Sequence, residues 1–184
     1  MNRKLNITEL DRLSIDEFKQ SRKMPVVVVL DDVRSMYNVG SVFRTSDAYR
    51  VECIYLCGIT AQPPHVEIHK TALGAEDSVD WIYFPNAEDA VKDLKRRGYC
   101  VLAVEQAEDS LRLPLPDELF GEIPDGYGLV FGNEVKGVHQ EVMDLCDGCI
   151  ELPQYGTKHS LNVSTTAGIV IWEMAKKFTS NFNI

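Results

Sequence analysis

Residues 26–30 read Val-Val-Val-Val-Leu, directly after Pro25. An apolar run with no polar alternation fits a strand buried on both faces, the habit of parallel sheets covered by helices on each side. Further short runs repeat the signal. Cys53–Cys57, Trp81–Phe84, Val101–Val104, Leu129–Phe131 and Cys149–Leu152 each read as a strand. Helical patterns fall between them. Residues 41–49, 87–97 and 139–145 read as helices, and 161–178 as a long one. Its apolar face is marked by Val163, Ala167, Val170, Ile171, Met174 and Phe178. Alternation of this kind predicts an α/β chain with a mostly parallel sheet flanked by helices.

The flanks are plainer. Ser14 and Glu17 fit a capping box, and short helices are expected over 6–11 and 15–22. Pro63-Pro64 reads as a rigid loop. Residues 106–126 hold Pro114, Pro116 and Pro124 and read as loop. The length of 184 residues fits one domain, 1–184, opened by a short helical segment, 1–24. No apolar run approaches the roughly 20 residues that span a bilayer. No apolar stretch follows the N-terminal basic residues, so no secretory signal is expected.

In parallel sheets, ligands bind at the C-terminal ends of strands. Three polar turns sit at such places. Asn38-Val-Gly40-Ser41-Val-Phe-Arg44 follows the valine strand, with Arg34 just upstream. Gly40 is expected in the turn, and a helix start with an arginine suits an anion; a structural turn with a salt-bridged Arg44 is the competing reading. Gly132-Asn133-Glu134-Val135-Lys136-Gly137 follows the strand ending at Phe131. It is neither GxGxxG nor a P-loop. The turn after the first strand also lacks the dinucleotide fingerprint, which argues against an NAD domain. The third segment is Leu152-Pro153-Gln154-Tyr155-Gly156-Thr157-Lys158-His159-Ser160-Leu161-Asn162-Val163-Ser164. Ser160 is the expected N-cap of the last helix. Capping leaves Asn162 unexplained.

Over nearly the whole chain these three segments, in this order, resemble the three motifs of the SpoU (TrmH-like) RNA ribose 2′-O-methyltransferases of the SPOUT superfamily. Gln154-Tyr155 departs from the family's usual small apolar residue after the proline. The resemblance implies an S-adenosylmethionine-dependent enzyme, a C-terminal trefoil knot, and a homodimer whose active site is completed near the subunit interface. It implies that Gly132, Leu152 and Leu161 line the cofactor pocket through backbone groups, with Asn133 and Glu134 beside it. It makes Arg44 the catalytic arginine, with Asn38, Glu134, Ser160 and Asn162 around it. No metal is required. Arg44 is then either a transient proton relay or the group that orients the hydroxyl while a phosphate takes the proton. The acceptor is a ribose of tRNA or rRNA. A non-catalytic RNA-binding module that kept the fold is the alternative.

Charge bears on that partner. The 19 basic and 28 acidic residues give a net −9, which on its own speaks against a polyanion. Residues 105–151 carry twelve acidic against two basic groups, so the rest of the chain sums to +1. A two-faced protein is expected, with a modest basic surface around the Arg44 loop and with Arg34, Arg44 and Lys158 facing RNA. With fewer than 25 residues before the first strand, no separate RNA-binding extension is expected. Lys70–Ala75 is a further RNA-facing candidate.

The five cysteines, Cys53, Cys57, Cys100, Cys146 and Cys149, are odd in number. They read as reduced thiols of a cytoplasmic protein, and the lone Cys146-x-x-Cys149 lacks the second pair a zinc ribbon needs. His65, Glu67 and His69 are placed on one strand face, as surface residues.

Overall fold

The computed structural model describes residues 2–116 and 125–178. Seven strands form one sheet: β1 (Met24–Asp31), β2 (Val51–Cys57), β3 (Trp81–Phe84), β4 (Tyr99–Val104), β5 (Leu111–Arg112), β6 (Gly126–Phe131) and β7 (Gly148–Glu151). Their order is β3-β2-β1-β6-β4-β7-β5, and every pairing is parallel. The valine run lies at the heart of it. Val29 pairs with Tyr55 of β2 on one side and Val130 of β6 on the other.

Among the described residues, seven α-helices accompany the sheet: α1 (Ile15–Gln20), α2 (Met36–Ala48), α3 (Val66–Ala72), α4 (Ala75–Ser78), α5 (Ala87–Arg96), α6 (Gln140–Met143) and α7 (Val163–Phe178). They cover both faces. Val26, Val28 and Leu30 pack with α2, α3 and α7, whereas Val27 and Val29 pack with α5 and α6. All five side chains are wholly buried. Each contributes roughly 1.5–3 kcal/mol over an exposed position.

Several boundaries differ from the sequence reading. The capping box at Ser14 forms, and α1 follows it. The 6–11 helix shrinks to a 3-10 turn at Ile7–Glu9. Residues 65–78, read without helix, hold α3 and α4. His65 and His69 therefore lie on a helix rather than a strand face. His65 caps α3 by accepting from Glu67 N, and His69 meets Glu76 at 2.5 Å. The 106–126 loop contains the short β5, and its residues 117–124, with Asp117, Glu118 and Glu122, lie outside the described residues. Among the described residues, no helix is long and apolar enough to cross a membrane.

The largest shift is at α2. It begins at Met36, not 41, because Ser35 accepts from Asn38 N as its N-cap. Gly40 is thus helical rather than in a turn. It is buried where α2 meets α3, and a Cβ there would stand 2.2 Å from the Ile68 carbonyl oxygen. Close helix approach, not turn geometry, requires the glycine.

The thiols follow burial. Desolvation pushes Cys53 and Cys146 up to about 12 and raises Cys57 as well. Thiols held protonated in this way are poor nucleophiles at neutral pH.

A Gly40→Ala variant gains helix propensity of about 1 kcal/mol yet must push α3 away. The clash should win, lowering stability by about 1–3 kcal/mol. Urea unfolding checks this, and an unchanged or raised midpoint would contradict the packing argument.

Candidate active site

A cavity of about 470 Å³ opens at the C-terminal ends of β4, β6 and β7, lined there by Val104, Phe131 and Ile150. That volume lies in the range of small-molecule sites. Most of the rest of its wall comes from the two segments that the sequence singled out after β6 and β7. Gly132, Asn133 and Glu134 form one side, and Leu152, Ser160, Leu161 and Asn162 the other.

The 132–137 loop is folded back on itself. Asn133 and Gly137 exchange backbone hydrogen bonds at 3.0 and 2.9 Å. The Asn133 side chain is spent within and below the loop: Oδ1 accepts from Val135 N and Lys136 N, and Nδ2 donates to the Asp32 carbonyl. What Asn133 offers the cavity is therefore backbone. Gly132 is irreplaceable on geometry, since a Cβ there would lie 2.0 Å from the Gly137 carbonyl carbon. Two acids brace the loop from beneath. Glu105 accepts from Val138 N, and Asp31 accepts from His139 through both backbone N and ring Nδ1. Burial raises the Asp31 carboxyl, against the His139 hydrogen bonds.

Glu134 reaches across to α2. Its carboxylate accepts from Arg34 N and Ser35 N, each at 3.1 Å, and from Asn38 Nδ2 at 2.9 Å. A carboxylate at a helix N-terminus meets unpaired N–H groups and the positive end of the dipole. Burial alone would raise this carboxyl. The donors from Arg34, Asn38 and Ser35 outweigh it and hold the group below the ordinary glutamate range. Asn38, buried, passes the contact on. Its Oδ1 accepts from Asn162 Nδ2 at 3.0 Å.

Asn162 also explains the start of α7. Its Oδ1 accepts from Ser164 N at 2.9 Å and Ser164 Oγ at 2.6 Å, while its carbonyl takes Thr166 N. The helix begins at Val163, so Asn162, and not Ser160, serves as its cap. Ser160 is exposed on the cavity rim instead.

Arg44 does not join this group. Two turns along α2 from Asn38, it is exposed and lines a separate cleft with Ser41, Thr45, Lys70 and Thr71. Arg34 gives the site its backbone N, and its side chain is exposed. Lys158 is exposed in the loop before α7. No carboxylate of residues 105–151 lines the Arg44 cleft among the described residues. Glu105 and Gln106 also line the cavity, and sequence reasoning passed over both. Their position just beyond β4 was the available signal. Gln106 Nε2 donates to the His159 carbonyl at 2.7 Å, pinning the third segment over the cavity. Of the unusual pair after Pro153, Gln154 lines the cavity and Tyr155 points outward, 95% exposed.

Fold and site together define a parallel α/β protein with a ligand cavity built from two post-strand loops. The chain belongs to the SpoU rRNA Methylase family, whose model matches residues 25–172. It is 26% identical over 162 residues to the 23S rRNA (guanosine-2′-O-)-methyltransferase RlmB of Neisseria meningitidis serogroup B, which covers 88% of this chain and 62% of that enzyme. It is 30% identical over 173 residues to the tRNA (guanosine(18)-2′-O)-methyltransferase of Thermus thermophilus, covering 92% of this chain and 84% of that one. Its fold matches the AdoMet-bound rRNA methyltransferase of Sinorhizobium meliloti with a TM-score of 0.74, over 87% of this chain and 60% of the other, at 24% identity.

Because the Glu134 carboxyl lies low in the folded protein, its stabilisation is fully present above the ordinary range and is lost as pH falls through the folded value. The stability gap between the protein and a Glu134→Gln variant should hold steady down to about pH 5 and close below about pH 4. Urea titrations across that range measure it, and a gap that widens on acidification would refute the assignment.

Proposed function

We propose that the protein is a cytoplasmic, single-domain enzyme that moves a methyl group from S-adenosylmethionine to a ribose 2′-hydroxyl of tRNA or rRNA. The observation that carries this reading is the cavity at the strand ends, formed by the same loops whose motifs mark the family and joined to α2 by Glu134, Asn38 and Asn162. Relatives named for 2′-O-methylation of both RNA classes support it. Asn38, Arg44 and Asn162 are all present, which leaves the non-catalytic alternative without support.

The residues present fit the donor. Gly132 permits a close backbone approach, and Leu152 and Leu161 supply an apolar wall. In this proposal the backbone groups of Gly132, Leu152 and Leu161 hold the donor, with Asn133 keeping the loop shaped. When bound, S-adenosylmethionine supplies a methyl carbon already made electrophilic by its sulfonium, with no metal in the scheme. The protein's task is to place the hydroxyl in line and accept its proton. Glu134 is a fully hydrogen-bonded carboxylate and a weak base, so it orients rather than abstracts. A guanidinium is a donor rather than a base, so Arg44 clamps the ribose and its phosphate, whose oxygen takes the proton. Ser160 and Asn162 border the acceptor.

Arg44 lines a different cleft from the donor cavity of its own chain, so a homodimer that brings a second copy's Arg44 to each cavity completes the site. An apolar surface on α7 suits that contact: Ile169 and Trp172 are 40% and 49% exposed, and the Trp172 ring lies 5.7 Å from Tyr49. The knotted C-terminus belongs to the same proposal. Two contacts support it: Gln106 to His159, and Leu115 N to the buried Glu173 of α7, each tying the 105–116 connection to the last segment. Arg34 and Lys158 extend the RNA-facing surface around the cavity mouth.

Purified protein should transfer labelled methyl to host RNA, with the label recovered as a 2′-O-methylnucleoside. Binding of the donor without transfer to any RNA would overturn the proposal. Arg44→Ala should lower transfer at least about a hundredfold and leave donor affinity unchanged; lost donor affinity in a folded variant refutes its role. Mixing inactive Arg44→Ala and Glu134→Gln chains should restore about a quarter of wild-type activity, because half the dimers then carry one intact site. No recovery would place Arg44 in its own chain's site.

A further inference from the structure

Two side chains beside Arg44 have no place in that scheme. Tyr37 immediately precedes Asn38 on α2 and is 47% exposed. Its backbone is held rigidly, because its carbonyl accepts from Ser41 Oγ at 2.8 Å and Thr71 Oγ1 at 2.9 Å. Lys70 Nζ lies 5.9 Å from the centre of that ring. Lys70 also lines the Arg44 cleft, about 560 Å³ in volume, whose lining holds two cations, several hydroxyls and, among the described residues, no carboxylate. Its partner Glu67, at 2.6 Å, also accepts a hydrogen bond from the Tyr37 side chain; an exposed pair of this kind is worth little and is readily exchanged.

An exposed aromatic ring on a rigid helix, with Lys70 beside it and the Tyr37 carbonyl held by Ser41 and Thr71 of the neighbouring Arg44 cleft, suits an unstacked nucleotide: the ring takes the base face and the cations take phosphate. We propose that Tyr37 and Lys70 form a subsite for a single-stranded ribonucleotide adjoining the one whose ribose Arg44 clamps. Tyr37 stacks the base and Lys70 contacts its phosphate. A base inside a duplex is stacked on its neighbours and cannot use the ring, so the subsite selects loops and unpaired ends. The inference rests on RNA being the substrate, but not on methyl transfer.

The test uses the full chain and a short single-stranded oligoribonucleotide carrying 2-aminopurine, whose fluorescence is quenched on stacking. The protein should bind and quench it, and bind a duplex of the same sequence more weakly. Tyr37→Ala should weaken binding roughly tenfold and lose the quench, with Tyr37→Phe retaining both. Lys70→Gln should lower the slope of log affinity against log salt by about 0.7, one single-strand phosphate contact. S-adenosylmethionine affinity should stay unchanged in all three variants, which separates the effect from misfolding. The proposal is overturned if the oligonucleotide does not bind, if Tyr37→Ala still quenches, if the Lys70→Gln slope is unaltered, or if the duplex binds as well. Quenching that follows Tyr37 while no RNA is methylated would sink the methyltransferase reading and leave the subsite standing.

Discussion

The Glu134 carboxylate on the N-terminus of α2 is the interaction around which the site is organised. It joins a loop after β6 to a helix after β1, about a hundred residues apart in sequence. The unpaired N–H groups of a helix start need an acceptor, and an anion suits the helix dipole. That contact fixes the Asn38 amide as well. With Nδ2 turned to Glu134, Oδ1 must face Asn162, whose own Oδ1 is committed to capping α7. Three side chains thereby lock two helix starts and one loop around the cavity mouth.

Placement of the cavity follows from the sheet. β1 lies between β2 and β6, and the chain builds outward from it in both directions. The cavity opens to one side of it, beyond the C-terminal ends of the adjacent strands β6, β4 and β7. The loops could not form it without internal support. Asn133 consumes its side chain to shape one, and Gln106 pins the other through the His159 carbonyl. Glu105 and the Asp31–His139 pair hold the first loop from below.

Much of this was legible from residue patterns, for physical reasons that can be named. The valine run announced a two-faced strand because burial on both sides leaves no room for polar alternation, and residues 26–30 are wholly buried as expected. Gly132, Gly137, Asn38, Glu134 and Asn162 come together around the cavity, as their placement after strands suggested. What was misread depended on tertiary contact. Gly40 looked like a turn residue, but its missing side chain serves the approach of α3. Ser160 looked like the cap of α7, yet the cap is Asn162, whose second contact lies 124 residues away. Glu173 sits within an apolar helix face and is buried, since Leu115 N and Lys176 satisfy it. Arg44 shares a motif with Asn38 but not a cavity, because two helical turns carry it to another cleft.

The net negative charge also takes on a local meaning. What an RNA would meet at the Arg44 cleft is Arg44, Lys70 and several hydroxyls, with Glu67 paired to Lys70 at its edge and Glu134 occupied by α2. The central claim is that the cavity between the 132–137 loop and the 152–162 segment receives the methyl donor. Calorimetric titration of the protein with S-adenosylhomocysteine, the demethylated donor, tests it most directly. One binding event per chain, lost when Leu161→Arg fills the cavity while α2 and the sheet stay folded, is the result expected. No heat of binding, or binding that survives that substitution, would contradict it.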